Sequence, residues 1–201
     1  MIDQAKYNEE RTEPVRPGSL GEPEAGAQKY ATTLEVLVVH EDMPTGLRAK
    51  QVLDRLSKEP DVNLHFVVKL WTFKSLQDLV LHQHAVKDAS DVFILFLSLH
   101  GHTELPIHVC ELVDQWIAAR EGPGALVVSL DKSLRDAPST RSILEGLRTK
   151  VLFGEVDLFP HFGVAPSSAW HWGSAEPVVE AGGKPAPFVA PLLRETLGCN
   201  P

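Results

Sequence analysis

Short apolar runs separated by amphipathic stretches occupy the middle of the chain and predict an alternation of strands and helices. The most apolar run covers residues 92–99 and is apolar on both faces, so a central strand is predicted there. Residues 34–39 and 125–130 also indicate buried strands, whereas the alternation over 64–70 predicts an edge strand. A fifth strand is predicted over residues 151–158.

Apolar residues at helical spacing predict a helix in each of the four intervals between these strands. Pro44 suits the first turn of the first helix. Ser75 precedes the second helix, whose apolar stripe is predicted to include Leu76, Leu79 and Val80. The third helix is longer, and one of its faces is formed by Ile107, Cys110, Val113 and Ile117.

This alternation predicts a three-layer α/β/α domain around a five-stranded parallel sheet with right-handed crossovers. An edge-like second strand and very apolar first and third strands fit the flavodoxin-like strand order 2-1-3-4-5. The domain is predicted to cover residues 33–163, after a flexible, polar arm at 1–32. Residues 164–201 are predicted to form an irregular tail, in which Trp170 and Trp172 either pin the tail onto the domain or contact another subunit.

Composition narrows the classes of function. A net charge of −8 argues against non-specific binding to nucleic acid or to an anionic membrane. The chain lacks an apolar run of the roughly 18 residues that a membrane span needs. Cys110 and Cys199 do not form a disulfide framework and are expected to be reduced thiols, and no secretory signal is visible at the start. A cytoplasmic protein is therefore expected.

Residues 33–160 resemble the receiver domain of response regulators, a CheY-like, flavodoxin-like domain. The resemblance depends on Glu41 and Asp42 after the first strand and on the strand at residues 91–98. In receivers, an acidic pair at the first place holds Mg²⁺ and an aspartate at the end of strand three accepts the phosphoryl group. A serine or threonine follows strand four, where this chain has Ser129.

Two of the family's essential residues are missing from this chain. Phe96, Leu97 and Ser98 occupy the candidate positions for the phosphoacceptor, and none of them can form an acyl phosphate. The lysine that follows strand five in receivers is replaced by residues 158–161, Leu-Phe-Pro-His. The resemblance therefore implies a degenerate receiver without phosphotransfer or a cofactor, which signals through contacts with a protein partner or a second copy.

Polar residues cluster where the predicted strands end, and in an open α/β sheet ligands bind beyond these carboxyl ends. Imidazole nitrogens and carboxylates are suitable ligands for a divalent metal such as zinc, with His40, His100 and His102 as candidates. Such a site could activate water for hydrolysis. The full candidate set is His40, Glu41, Asp42, Ser98, His100, His102, Ser129 and Asp131.

The same residues also admit a simpler interpretation. Gly101 can break the strand and send His100 and His102 apart, and loop histidines are often exposed to solvent. Ser98 and Ser129 have the right chemistry for nucleophiles, but neither lies in a Gly-x-Ser-x-Gly elbow. The loops after strands three and four lack the aromatic residues that flavodoxins stack on a flavin. A non-catalytic interaction module is therefore the main prediction, and a metal-assisted hydrolase or small-ligand-binding protein is the alternative.

Overall fold

The computed structural model describes residues 32–58, 64–102, 104–152, 154–164 and 193. Its strands are β1 (Thr32–His40), β2 (Leu64–Thr72), β3 (Ile94–Ser98), β4 (Gly124–Asp131) and β5 (Val156–Gly163). The helices that connect them are α1 (Met43–Leu56), α2 (Leu79–Ser90), α3 (Ile107–Ala119) and α4 (Pro138–Val151), with short 3₁₀ turns at Ser75–Gln77 and Lys132–Leu134.

All neighbouring strands are parallel, and their order is β2-β1-β3-β4-β5. The predicted flavodoxin-like fold is therefore confirmed. The strand bounds differ at two places. β3 is limited to five residues, all buried. Residue 151 ends α4, so β5 begins at Val156 and not at 151.

Two apolar layers cover the two faces of the sheet because successive strand residues point to opposite sides. On one face, Leu37 of β1 and Leu95 of β3 pack in a cluster with α2, α3 and α4. On the other face, Val36 and Ile94 pack with α1. β2 lies at the edge and is mostly half-buried, as its alternating sequence predicted.

Three positions predicted from helical spacing to face the core are exposed in the structure. Leu79 and Val80 of α2 are 73% and 61% exposed, and Ile107 of α3 is 72% exposed. Periodicity identifies an apolar stripe but not the side on which the sheet lies, and in α2 two alanines supply most of the inward face. The buried residues of α2 are His82, Ala85 and Ala89.

The predictions for the chain's two ends fall mostly outside the described residues. This applies to residues 1–31 of the predicted arm at 1–32, whose last residue, Thr32, begins β1, and to Trp170 and Trp172. Leu193 is described, and it is 1% exposed within the cluster on the α1 face. In the part of the chain that the structure describes, no helix is both long and apolar enough to cross a membrane.

Candidate functional site at the carboxyl edge of the sheet

Asp42 is fixed in place by the start of α1. It is the N-cap residue, and its Oδ1 accepts a hydrogen bond from the backbone N–H of Thr45 at 3.0 Å. In return, the backbone N–H of Asp42 donates to Oγ1 of Thr45 at 2.9 Å. This reciprocal capping box satisfies N–H groups at the helix start that otherwise lack partners. It leaves Oδ2 of Asp42 directed towards the next strand of the sheet.

His100, just beyond the end of β3, joins two carboxylates. Its Nε2 lies 2.9 Å from Oδ2 of Asp42, and its Nδ1 lies 2.8 Å from Oδ2 of Asp131 at the end of β4. Its backbone N–H donates to Oε2 of Glu41 at 2.8 Å. These bonds connect the carboxyl ends of β1, β3 and β4, so the structure brings Glu41, Asp42, His100 and Asp131 together as the sequence suggested.

The charges in this cluster stabilise one another. Burial disfavours the imidazolium of His100, but the hydrogen bonds to Asp42 and Asp131 outweigh it and raise the pKa of His100. Burial also disfavours the Asp42 carboxylate, but the hydrogen bonds from His100 and Thr45 outweigh it and lower the pKa of Asp42. Each partner therefore favours the charged form of the other.

Arg48, on α1, adds a buried cation to the hydrogen-bond network around His100. Its side chain is 1% exposed, and its Nη1 donates to Oδ1 of Asp131. Its Nη2 donates to the carbonyl oxygens of Leu99, at 2.5 Å, and Ser129, at 3.2 Å. The guanidinium therefore ties α1 to the ends of β3 and β4. Together, Arg48 and His100 balance the negative charges of Asp42 and Asp131.

Sequence reasoning missed Arg48, although a signal was present. The residue stands between Leu47 and Ala49 in the buried stripe of α1, where a charged side chain needs a partner. A cation in such a stripe, on the helix that follows the first strand, indicates a buried acidic partner at the sheet's edge.

The two candidate serines are buried and already bonded. Ser98 and Ser129 are both fully buried. The Ser98 hydroxyl donates to the carbonyl oxygen of Thr45 at 2.7 Å. The Ser129 hydroxyl and Nδ1 of His161, on β5, share a hydrogen bond of 3.0 Å. Both hydroxyls are therefore shielded from solvent.

The other two candidate histidines have different surroundings from those of His100. His40 ends β1, and His102 lies two residues after His100. His40 is buried, and its Nδ1 donates to the carbonyl oxygen of Asp42 at 2.7 Å. A Cβ at Gly46 would lie 3.0 Å from this ring, so the glycine leaves it room. His102 is exposed beyond Gly101, whose φ of 92° turns the chain, and its ring stacks on that of His100 with centroids 6.0 Å apart.

Among the residues that the structure describes, no three histidine, cysteine or acidic side chains are arranged to hold one metal ion. His40, His100 and His102 therefore do not form such a group. His40 and His100 each use ring nitrogens in hydrogen bonds within the protein. The ring stacking brings His102 near His100, but it does not by itself create a common ligand point.

No family model matches the chain, and no curated protein matches it. Among solved structures, it is similar to a short-chain flavodoxin associated with a bacterial microcompartment, at 14% identity and a TM-score of 0.43. That match covers 67% of this chain and 87% of the flavodoxin. The Trp repressor binding protein from Bacillus subtilis matches at 8% identity and a TM-score of 0.39, covering 66% of this chain and 86% of that one.

Matches this distant carry no inference about a ligand or a partner. The fold assignment therefore depends on the strand order itself. The resemblance to response-regulator receivers stays a prediction.

Proposed function

We propose that this protein is a non-catalytic interaction module built on a flavodoxin-like sheet. The observation that carries the proposal is the pairing of His100, whose two ring nitrogens both bond to carboxylates. Asp131 also accepts from Arg48. The place where this fold binds its ligands is thus filled by the chain's own cations.

This pairing argues against the receiver's phosphotransfer chemistry. In receivers the acidic pair holds Mg²⁺, whereas here Glu41 and Asp42 both bond to His100. Ser98 ends β3, where a phosphoacceptor carboxylate would be needed, and its hydroxyl is buried.

A metal-assisted hydrolase is the less supported alternative. The contact between Asp131 and His100 is of the kind that orients a general base. However, the second nitrogen of His100 is bonded to Asp42, and the two nearby serines are bonded elsewhere. His100 would have to release a carboxylate before it could bind a metal or accept a proton.

Calorimetric titration with Zn²⁺ tests the proposal, with the wild type beside a His100→Ala/His102→Ala variant. We expect no difference between the two proteins in metal binding. Incubation with acetyl phosphate and Mg²⁺ should likewise leave the mass of the protein unchanged. Binding at micromolar Zn²⁺ that the variant loses, or a phosphorylated species, would contradict the proposal. Circular dichroism checks that the variant is folded.

A further inference from the structure

The second helix presents its largest apolar side chains to solvent. Leu79 is 73% exposed and Val80 is 61% exposed, whereas the helix is anchored by His82, Ala85 and Ala89. Single exposed apolar residues are common on protein surfaces, whereas neighbouring exposed apolar residues often mark a contact site. Since the inward face is complete without them, Leu79 and Val80 are free to contact another molecule.

A third exposed apolar residue lies on the neighbouring helix. Nε2 of His82 hydrogen-bonds to the carbonyl oxygen of His108 at 3.1 Å, which places the first turns of α2 and α3 side by side. Leu79 is one turn before His82, and Ile107, which is 72% exposed, directly precedes His108. We refer to Leu79, Val80 and Ile107 as the α2–α3 apolar surface.

Carboxylates border this surface. Asp78 precedes Leu79, and Glu111 lies one turn after Ile107, and both are exposed. Lys74 is the exposed cation in the segment that leads into α2. The whole chain carries a net charge of −8, so the local excess of negative charge agrees with that of the molecule.

We propose that the α2–α3 apolar surface binds a basic amphipathic helix of a protein partner. This inference rests on the function proposed above and names the surface and the partner class. Leucine-type side chains of the partner would cover Leu79, Val80 and Ile107, and its lysines or arginines would lie against the bordering carboxylates. A second copy of this chain fits less well, because it would bring the same carboxylates together.

A synthetic peptide of about 14 residues, or roughly four helical turns, serves as the probe. It carries leucine on one face and lysine on the other, and fluorescence anisotropy measures its binding. We expect Leu79→Gln/Ile107→Gln to weaken binding by roughly tenfold or more, since apolar anchors dominate such interfaces. Leu152→Gln is the matched control: Leu152 is 70% exposed but lies at the far end of α4.

The outcomes separate the components of the proposal. Asp78→Asn/Glu111→Gln should weaken binding and reduce its dependence on salt, and asparagine can still cap α2 at residue 78. If the peptide bound equally to the wild type, to Leu79→Gln/Ile107→Gln and to Leu152→Gln, its binding would be non-specific charge attraction and the proposal would be overturned. The absence of any binding would also overturn the proposal. Light scattering that detects a dimer lost in Leu79→Gln/Ile107→Gln would assign the surface to a second copy instead. None of these results depends on Zn²⁺ or on His100, so the function proposed above is tested separately.

Discussion

At the scale of single residues, two histidines near the same arginine have opposite preferences for a proton. His100 lies between two carboxylates, which favour its charged form. His161 is buried, and burial together with the charges of Arg48 and Arg55 lowers its pKa to about 4. The stability of the fold should therefore depend on pH in two distinct ways.

His100 should stabilise the protein most when it is protonated. Its pKa is raised in the folded state, so its contribution is complete below its ordinary value of 6.5 and is lost as the pH rises through the folded value. Asp42, whose pKa is lowered, contributes above its ordinary value of 3.8. Urea unfolding of His100→Asn should show a loss of roughly 1–2 kcal/mol near pH 6 that shrinks at higher pH.

His102→Asn is the control for this experiment, because His102 is exposed and bonds to neither carboxylate. It should unfold like the wild type at every pH. A difference between His100→Asn and the wild type that stays constant as the pH rises would contradict the charged pairing.

His161 should make the protein sensitive to acid. Its pKa falls from 6.5 to about 4 on folding, so its contribution is complete above pH 6.5 and is lost as the pH falls towards 4. The free energy involved is about 3 kcal/mol. In Ser129→Ala/His161→Phe both hydrogen-bonding partners are replaced together, which avoids an unpaired buried hydroxyl.

Urea titrations of that double variant at several pH values provide the measurement. Between about pH 6.5 and 4 its free energy of unfolding should fall less steeply than that of the wild type. If the two profiles ran parallel over this range, another group would be responsible for the acid sensitivity.

At the scale of elements, strand order was predictable and helix orientation was only partly so. β3 is apolar on both faces, as expected for a central strand of a parallel sheet that is covered by helices on each side. For α2, the apolar pattern was present, but Leu79 and Val80 point outwards. Ala85 and Ala89 allow this helix to pack closely through small side chains, and no periodicity rule reveals that choice.

The candidate site was also predictable from the sequence only in part. Topology alone predicted that Asp42, His100 and Asp131 would meet, because parallel strands end at one edge. It did not predict which nitrogen of His100 bonds to which carboxylate, since side-chain rotamers decide that. His40 was predicted in the same cluster, but its ring bonds to the carbonyl oxygen of Asp42.

At the scale of the whole molecule, the layer on the α1 face includes a residue far along the chain. Leu193 is 1% exposed and packs in the same cluster as Val127 of β4 and Phe159 of β5. Leu193 therefore contributes to the core of the domain. Leucine so completely buried normally makes a large contribution to stability.

Leu193→Ala should accordingly lower the free energy of unfolding by about 2–5 kcal/mol, because it removes apolar contacts and leaves a cavity. Val164→Ala, at a side chain that is 73% exposed, should change it by less than about 0.5 kcal/mol. Urea denaturation compares the two variants. If both were as stable as the wild type, Leu193 would not belong to the core.

The two hydrogen bonds that His100 makes to Asp42 and Asp131 have a consequence for any molecule that approaches this edge of the sheet. The His100 side chain is covalently part of the same chain as the carboxylates that it contacts. It therefore binds them at an effective concentration far above that of most free solutes. A free cation therefore competes with an occupant that cannot diffuse away. Because Asp42 caps α1 through Oδ1 and bonds to His100 through Oδ2, displacing that occupant would leave the helix cap in place. Cations from solution must therefore compete with His100 for Asp42 and Asp131, and the strength of this competition does not depend on the protein concentration.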